Sequence, residues 1–277
     1  MKKYIKLISF TLLIMIIIAS CDKKGTTQPT SGKAPCRLTM ISSQSTGHNG
    51  GATYEYDNDG RLITITNYSG NSPEAITTLS ETSMVSNYTS SAGFPMVQTI
   101  VFEGGGLFNG YLPSKSSMAQ QEGTITHTQV RDYLFYYDSK DRIGKVSEVT
   151  PNAIGDWEWD LFISYDDHDN VTSLKYEWNT GPNTSTIIPA TGYDDKPSPY
   201  SGLRTWKYLA NWDGDVLTML AQLSKNNPLG FIQGDWTRKI TYEYNENGYP
   251  IIQNNKQFVK GNIDTARWVE NFNYVCQ

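Results

Sequence analysis

The chain has 277 residues, with 28 Asp and Glu against 23 Lys and Arg, so its formal net charge is −5. An acidic chain is a poor match for nucleic acid or for anionic lipid, because both favour basic patches. Its 18 Tyr and 7 Trp residues suit the half-buried surface of a β-sheet. We therefore predict no nucleic-acid partner and a fold built mainly from β-strands.

Residues 1–20 have the three parts of an export signal. Lysines open the segment, an apolar run from 7 to 18 follows, and two small residues precede Cys21. The apolar run is shorter than the roughly 20 residues that span a bilayer comfortably. The alternatives are an uncleaved anchor helix and an ordinary cleaved signal. The second alternative fits poorly because Ile18 stands where such a signal has a small residue.

The segment around Cys21 resembles the lipobox of bacterial lipoproteins. This resemblance implies removal of residues 1–20, a lipid on Cys21, and stable anchoring in a membrane through more than one acyl chain. Residues 21–35 are polar and carry Gly and Pro, so we predict a flexible tether that reaches at most about 45–50 Å. The expected location is the cell envelope, at the outer membrane, with its periplasmic and outer faces both left open.

Two cysteines remain for the folded part, Cys36 and Cys276, at its first and last positions. In an oxidising compartment they predict a disulfide that joins the first strand to the last, and the alternative is two separate buried thiols. Neither cysteine has another cysteine or a histidine at metal-ligand spacing, so we predict no metal here.

A repeated hairpin pattern runs through residues 36–277. Each copy has an aromatic strand end, an Asp or Asn, a short polar turn and an apolar strand start. The Asp or Asn side chain is expected to bond its own backbone and begin the turn. Gly60 and Gly248 are expected to close it with a positive φ, Asn170 can do so less cheaply, and Asp141 less cheaply again. The copies span residues 54–65, 242–251, 136–143 and 164–171.

The flanking strands alternate between apolar and polar residues, which is typical of an antiparallel sheet covered on one face. We expect a single domain containing a large curved sheet, either an open half-barrel or two packed sheets. An apolar helical stripe predicts one short helix near 215–224, lying across the sheet. Further strands are predicted near residues 37–41, 97–102, 125–135, 157–163, 251–260 and 267–275.

The hairpin pattern resembles the tyrosine–aspartate repeats of bacterial repeat-shell proteins. Together with the segments Tyr193–Leu203 and Ser224–Pro228, it is more similar to a family of Bacteroidetes lipoproteins whose activity is uncharacterised. This resemblance implies the β-hairpin fold and the envelope location, and it implies no activity.

Catalytic and cofactor patterns are scarce in this sequence. The three histidines form no metal-binding pair, and neither a nucleophile elbow nor a phosphate loop is present. We therefore predict no enzyme, no cofactor and no metal. Paired carboxylates near tryptophans leave glycan cleavage as an alternative. The carboxylates concerned are Asp156, Glu158, Asp160 and Glu177.

Three tryptophans form the candidate binding site. Trp157 and Trp159 share one strand face, and Trp178 follows on a neighbouring strand. Such a platform suits a sugar ring or a lipid chain, and the alternative is core packing. We predict a membrane-anchored, non-enzymatic module that binds an apolar ligand or a glycan, with a lipid-carrier-like role included. The alternatives are a glycan-degrading enzyme and a structural or assembly lipoprotein that meets other envelope proteins.

Overall fold

The structure is a computed structural model that describes most of the chain after residue 35. The described residues are 36–45, 48–70, 72–89, 93–107, 112–122, 125–149, 158–178, 185–200, 216–260 and 262–276. The predicted signal segment, Cys21, the tether and Trp157 lie outside these residues.

Sixteen antiparallel strands and one helix make up the described part of the chain. Each strand pairs with its neighbours in sequence, and β1 also pairs with β16, so the sheet closes into a barrel. The elements are β1 (Arg37–Ser45), β2 (His48–Tyr56), β3 (Leu62–Ser69), β4 (Ser72–Leu79), β5 (Ser83–Thr89), β6 (Pro95–Glu103), β7 (Lys115–Glu122), β8 (Ile125–Tyr137), β9 (Ile143–Val149), β10 (Trp159–Tyr165), β11 (Val171–Trp178), β12 (Ser185–Pro197), α1 (Val216–Leu223), β13 (Asn226–Gln233), β14 (Trp236–Tyr244), β15 (Pro250–Val259) and β16 (Asn262–Val275).

The prediction of a mainly antiparallel β fold with one short helix is confirmed. The expectation of an open half-barrel or two packed sheets is wrong, because the sheet is a closed barrel. Residues 66–125 lack the hairpin pattern, yet they contain β4 to β7, which carry the sheet round to its own first strand. Alternation shows that a sheet has a covered face, but closure depends on the number of strands, which alternation does not give.

Along β10 and β11, apolar residues point into the barrel and charged residues point outside it. On β10, Leu161 and Ile163 belong to the buried core, whereas Asp160 lies on the opposite face and pairs with Lys145 at 3.0 Å. On β11, Leu174 and Tyr176 are buried, and Lys175 lies on the outer face, where it pairs with Glu177. This is the alternation expected of strands with one dry face and one wet face.

The two ends of the barrel differ. At one end lie the turns after β2, β8, β10 and β14, the start of β1 and helix α1, and we refer to it as the helix end. At the other end, the far end, short turns such as those at Gly70 and Gly234 join the strands. Consecutive strands run in opposite directions. The connections after even-numbered strands therefore lie at the helix end, and those after odd-numbered strands lie at the far end.

Helix α1 fills the lumen near the helix end. Seven of its eight residues are buried, and its leucines belong to the same core cluster as the inward residues of the strands. Ser198 Oγ donates to the Ala221 carbonyl at 2.6 Å, and the Tyr176 hydroxyl lies 3.6 Å from Met219 Sδ. The helix therefore packs inside the barrel, where the sequence suggested only that it lies across a sheet.

A disulfide joins Cys36 to Cys276 at the helix end, across the pairing of β1 with β16. The two residues are 240 positions apart in sequence, and their Cα atoms are 4.0 Å apart. The bond therefore links the first and last strands at the seam that closes the barrel.

Candidate ligand-binding lumen

The tyrosine–aspartate pattern builds the turns of the helix end. In the turn after β10, Asp166 Oδ1 accepts hydrogen bonds from the backbone N–H groups of His168 and Asn170 at 2.8 and 2.9 Å. The preceding Tyr165 donates from its hydroxyl to the Ile143 carbonyl on β9 at 3.0 Å. The aspartate thus closes its own turn, and the tyrosine ties that turn to the neighbouring strand.

The same geometry recurs in the turns that begin at Asp57, Asp138 and Asn245. The fourth residue of each turn has a positive φ, as predicted for Gly60 and Gly248. In the turn that begins at Asp166 the prediction of Asn170 is wrong, because the residue with φ 66° is Asp169. The hydrogen bonds align the four copies on the Asp or Asn that begins each turn. In this alignment the residue with a positive φ is the fourth of the turn, which is Asp169 and not Asn170.

Hydrogen bonding lowers the pKa of these turn carboxylates. For Asp166, burial acts to raise the pKa, but the backbone N–H groups of Asn170 and His168 outweigh it. For Asp57, the backbone N–H of Arg61 is the main cause of a lowered pKa. These carboxylates serve the turns, and the described residues contain no cluster of acids, histidines and cysteines suited to a metal ion.

A crevice of about 600 Å³ opens on the helix end between β11 and β12. Two of its polar lining residues, Asp194 and Tyr193, are already engaged in hydrogen bonds. Asp194 accepts hydrogen bonds from the Lys196 and Asn227 backbones at 2.9 and 3.2 Å, and from the Tyr244 hydroxyl. The Tyr193 hydroxyl donates to the Val171 carbonyl at 2.7 Å. We interpret this crevice as a structural junction that holds the connection after α1 against the barrel.

Two of the three predicted tryptophans, Trp159 and Trp178, face the lumen. Trp159 and Trp178 lie directly opposite each other on β10 and β11. Trp159 is 3% exposed and Trp178 is half-buried against the core cluster. The ring of Tyr176 links them, because its centroid is 5.7 Å from that of Trp159 and 6.4 Å from that of Trp178. Core packing therefore accounts for Trp159, while Trp178 keeps an accessible surface.

Sequence reasoning missed two charged residues beside these tryptophans. Glu148 lies opposite Trp159 in the sheet and is 5% exposed. Arg131 Nε lies 3.7 Å from Glu148 Oε1. Arg131 has the same strand parity as the buried Tyr133 and Phe135, and that parity was the available signal. We refer to Arg131, Glu148, Trp159 and Trp178 as the aromatic wall.

Two of the acids that sequence reasoning offered for glycan cleavage, Asp160 and Glu177, do not join the aromatic wall. Asp160 and Glu177 lie opposite each other on the outer face of β10 and β11. Asp160 binds Lys145 there and accepts a hydrogen bond from Ser147 Oγ at 2.5 Å. Alternation along β10 and β11 places Asp160 and Glu177 on one face of the sheet and Trp159 and Trp178 on the other. Closeness in sequence therefore does not bring these acids to the tryptophans. Asp156 lies outside the described residues.

Polar residues continue round the inner face toward the far end on β4 to β7. Thr77 and Ser86 face each other and their hydroxyls are 2.8 Å apart, and Gln98 lies opposite Ser86. Gln120 Nε2 donates to the Tyr88 hydroxyl at 3.3 Å. All five are partly exposed although they face inward. Barrels of sixteen strands are wide enough to leave a channel, and here the lumen changes from an apolar core near α1 to a polar, solvent-reached wall.

Comparison with known proteins shows a likeness of fold. No family model and no curated protein matches this chain. Among solved structures, a porin-like protein from Bacteroides uniformis is 17% identical, with a TM-score of 0.51, and the match covers 90% of this chain and 100% of that one. A porin-like protein from Bacteroides vulgatus is 10% identical, with a TM-score of 0.49, over 87% and 99% of the two chains.

The described part of the chain contains one helix, of eight residues, and no helix there is long and apolar enough to cross a bilayer. The likeness to the Bacteroides uniformis protein extends over nearly all of this chain, and at 17% identity it concerns architecture. The chain is therefore an antiparallel barrel of sixteen strands that is similar in fold to a porin-like protein.

Proposed function

We propose that this protein is a lipid-anchored envelope barrel that binds a carbohydrate, without cleaving it, against the aromatic wall of its lumen. The observation that carries the proposal is the half-buried Trp178, which lies opposite Trp159 on the same inner surface as the Arg131–Glu148 pair. Sugar rings stack their C–H faces on aromatic rings and present hydroxyls to charged and amide groups, so a binding site for them combines both.

The polarity of the inner surface of the lumen favours a sugar over an acyl chain. An acyl chain requires an apolar chamber, and the apolar part of the described lumen is packed with the side chains of α1 and its neighbours. Partly exposed polar groups that face the lumen, such as Gln98 and Gln120, would lose their contact with water against a hydrocarbon. A sugar supplies hydroxyls to both.

The outer face supports a position beside the membrane. Transmembrane barrels present an apolar band to lipid and a polar interior. Here the Lys145–Asp160 and Lys175–Glu177 pairs lie on the outer face of β9 to β11, and the buried apolar core lies inside. Lipid on Cys21 and the tether would hold such a barrel at the membrane surface. The likeness to a porin-like protein agrees with an envelope setting.

The binding proposal is tested with full-length protein extracted from membranes in mild detergent. Glycan microarrays identify a binding oligosaccharide, and calorimetry then gives its dissociation constant. We expect Trp178→Ala to weaken binding at least about tenfold, which is roughly 1.4 kcal/mol. Phe162→Ala, on the outer face of β10, is the matched control and leaves the affinity unchanged. Equal losses in both variants, or the absence of any glycan ligand, would contradict the proposal.

The anchoring proposal has its own test. Mass spectrometry of the mature N-terminus is expected to show a diacylated or triacylated Cys21, and Cys21→Ala is expected to release the protein from membranes. A mature protein that begins at another residue would overturn the anchor without touching the binding proposal.

A further inference from the structure

The outer wall of the barrel is charged on one side and uncharged on another. Leu79 and Met84 belong to the core, so the residues of opposite parity on β4, β5 and β6 point outward. In the middle of these three strands the outward residues carry no charge, and we refer to them as the uncharged wall: Ile76, Thr78, Val85, Asn87, Val97 and Thr99. On β9 to β11, by contrast, the outer face carries the Lys145–Asp160 and Lys175–Glu177 pairs.

Large apolar side chains on the uncharged side meet solvent. Ile76 is 44% exposed, and Val101, which extends the uncharged wall toward the helix end on β6, is 42% exposed. Charged residues stand at the two ends of the wall: Glu74 at the far end, and Glu103, which pairs with Lys115 at 3.7 Å, at the helix end. Contiguous exposed apolar surface with a polar rim is typical of an interaction site.

A depression of about 290 Å³ adjoins the uncharged wall between β6 and β7. It exists because Ser117 and Ala119 have small side chains, and these two residues stand opposite Val101 and Thr99 in the sheet. The depression therefore has room for an apolar side chain that a covering surface brings. It lies on one flank of β5, and the exposed Ile76 lies on the other flank.

Three kinds of covering surface differ in how well they fit the uncharged wall. A hydrocarbon layer would remove the exposed Asn87 amide and Thr78 hydroxyl from water and would supply no hydrogen-bond partner. A strongly charged partner would meet no counter-charge on the wall. A second copy of this chain brings hydroxyls and amides, and both groups can donate and accept hydrogen bonds. Because the chain has a net charge of −5, an uncharged wall also lets two copies meet without bringing like charges together.

We infer that the uncharged wall is the interface at which two copies of this chain associate into a dimer. A two-fold axis parallel to the barrel axis makes the contact isologous, so the same surface serves both copies. The middle strand of the wall, β5, lies at this axis, and its exposed Asn87 faces its own counterpart. Ile76 of each copy then lies over the β6–β7 side of the other, where the depression is. Both helix ends point the same way, as attachment of both copies to one membrane requires.

Cross-linking tests the contact with the full-length protein in its native membranes. We expect Asn87→Cys to form a disulfide-linked dimer on mild oxidation, seen on a non-reducing gel at twice the monomer mass and lost on reduction. Ile187→Cys is the matched control, because Ile187 is 58% exposed on the outer face of β12, and this variant is expected to stay monomeric on the gel. A cross-link that forms equally well at both positions would indicate random collisions in the membrane and would overturn the interface.

The strength of association is measured on protein extracted in mild detergent, by light scattering with the mass of the detergent subtracted. We expect the parent protein to have the mass of two chains. Ile76→Asp is expected to raise the dissociation constant of the dimer at least about tenfold, because the contact would bury a carboxylate without a partner. Ile187→Asp, the same change on the charged side of the barrel, is expected to leave the constant unchanged. Circular dichroism shows whether both variants keep their β-structure.

Several outcomes would contradict the dimer interface. A parent protein that is monomeric in light scattering and whose Asn87→Cys variant forms no cross-link overturns the inference. A dimer that Ile76→Asp does not weaken, or that Ile187→Asp weakens equally, shows that the contact lies elsewhere and overturns it as well. Glycan binding enters neither measurement, so each of these outcomes leaves the proposed function unaffected.

Discussion

The helix end and the far end of the barrel are built by the same strands, yet their inner surfaces differ. Near α1 the inward residues are leucines, isoleucines and tyrosines that pack into one core. Toward the far end, partly exposed residues such as Gln98, Ser86 and Arg238 face inward. Strand alternation decides which residues face the lumen, and position along the strand decides whether they pack or meet solvent. The helix end therefore carries stability, and the far end is available for binding.

The largest expected effect comes from the core at the helix end. Leu220 of α1 is fully buried, so Leu220→Ala leaves a cavity and is expected to lower the free energy of unfolding by about 2–5 kcal/mol. Denaturant titration measures the loss. Ile187→Ala is the control, because Ile187 is 58% exposed on the outer face of β12 and should change stability by less than about 0.5 kcal/mol. Similar losses in both variants would show that α1 is not part of the core.

The seam at the helix end comes next. Replacing both Cys36 and Cys276 by Ser is expected to lower the free energy of unfolding by about 2–5 kcal/mol, because the unfolded chain regains the freedom that the cross-link removed. Glycan binding at the far end should be unchanged under conditions where the variant is folded. A stability that does not differ from that of the oxidised parent would indicate that the cross-link adds nothing to the strand pairing.

A smaller effect is expected from the tyrosines that tie the turns to their neighbours. Tyr165→Phe removes the hydrogen bond to the Ile143 carbonyl and is expected to cost about 1 kcal/mol. Burial raises the pKa of Tyr165, so its hydroxyl remains a donor throughout the accessible pH range. Tyr88→Phe tests the far end, where Tyr88 accepts a 3.3 Å bond from Gln120 and remains partly exposed. A greater loss from Tyr88→Phe would reverse the assignment of stability to the helix end.

The smallest effect is a loss of stability in acid. The folded-state pKa values of Asp57, Asp138 and Asp166 are lowered, so these carboxylates contribute stability above the unfolded value near pH 4. That contribution is lost as the pH falls through the folded values. Melting temperatures between pH 7 and pH 2 should record the loss, and Asp138→Asn should flatten the profile. Asp195→Asn, at an exposed position, is the control.

Local features of the fold followed well from the sequence. The turns depend on hydrogen bonds within five consecutive residues, such as the one from the Arg61 backbone N–H to Asp57. A local sequence pattern is therefore enough to predict them. The helix at Val216–Leu223 followed from its apolar stripe, because each of its turns is buried. Closure of the barrel did not follow, since β4 to β7 are rich in Ser and Thr and carry no turn motif.

The candidate site was predictable only in part. The tryptophans were found because two aromatic residues at a spacing of two share a face, and Trp159 and Trp178 do lie opposite each other. Their charged neighbours were not found, because Glu148 comes from β9 and meets Trp159 only through the register of the sheet, and Arg131 comes from β8 and meets Glu148. The outer position of Asp160 follows from alternation, once the inner face of β10 is known.

The seam between β1 and β16 has a consequence for the topology of the molecule. Every other strand pair joins neighbours in sequence, and this one pair joins residues at the two ends of the described chain, beside the disulfide. The polypeptide is therefore, in effect, a ring. A peptide linking residue 276 to residue 36 would turn the seam into a hairpin, and new termini could be cut at a far-end hairpin such as the one at Gly234. Such a circular permutant would keep all sixteen pairings while moving the point of attachment to the opposite pole of the barrel.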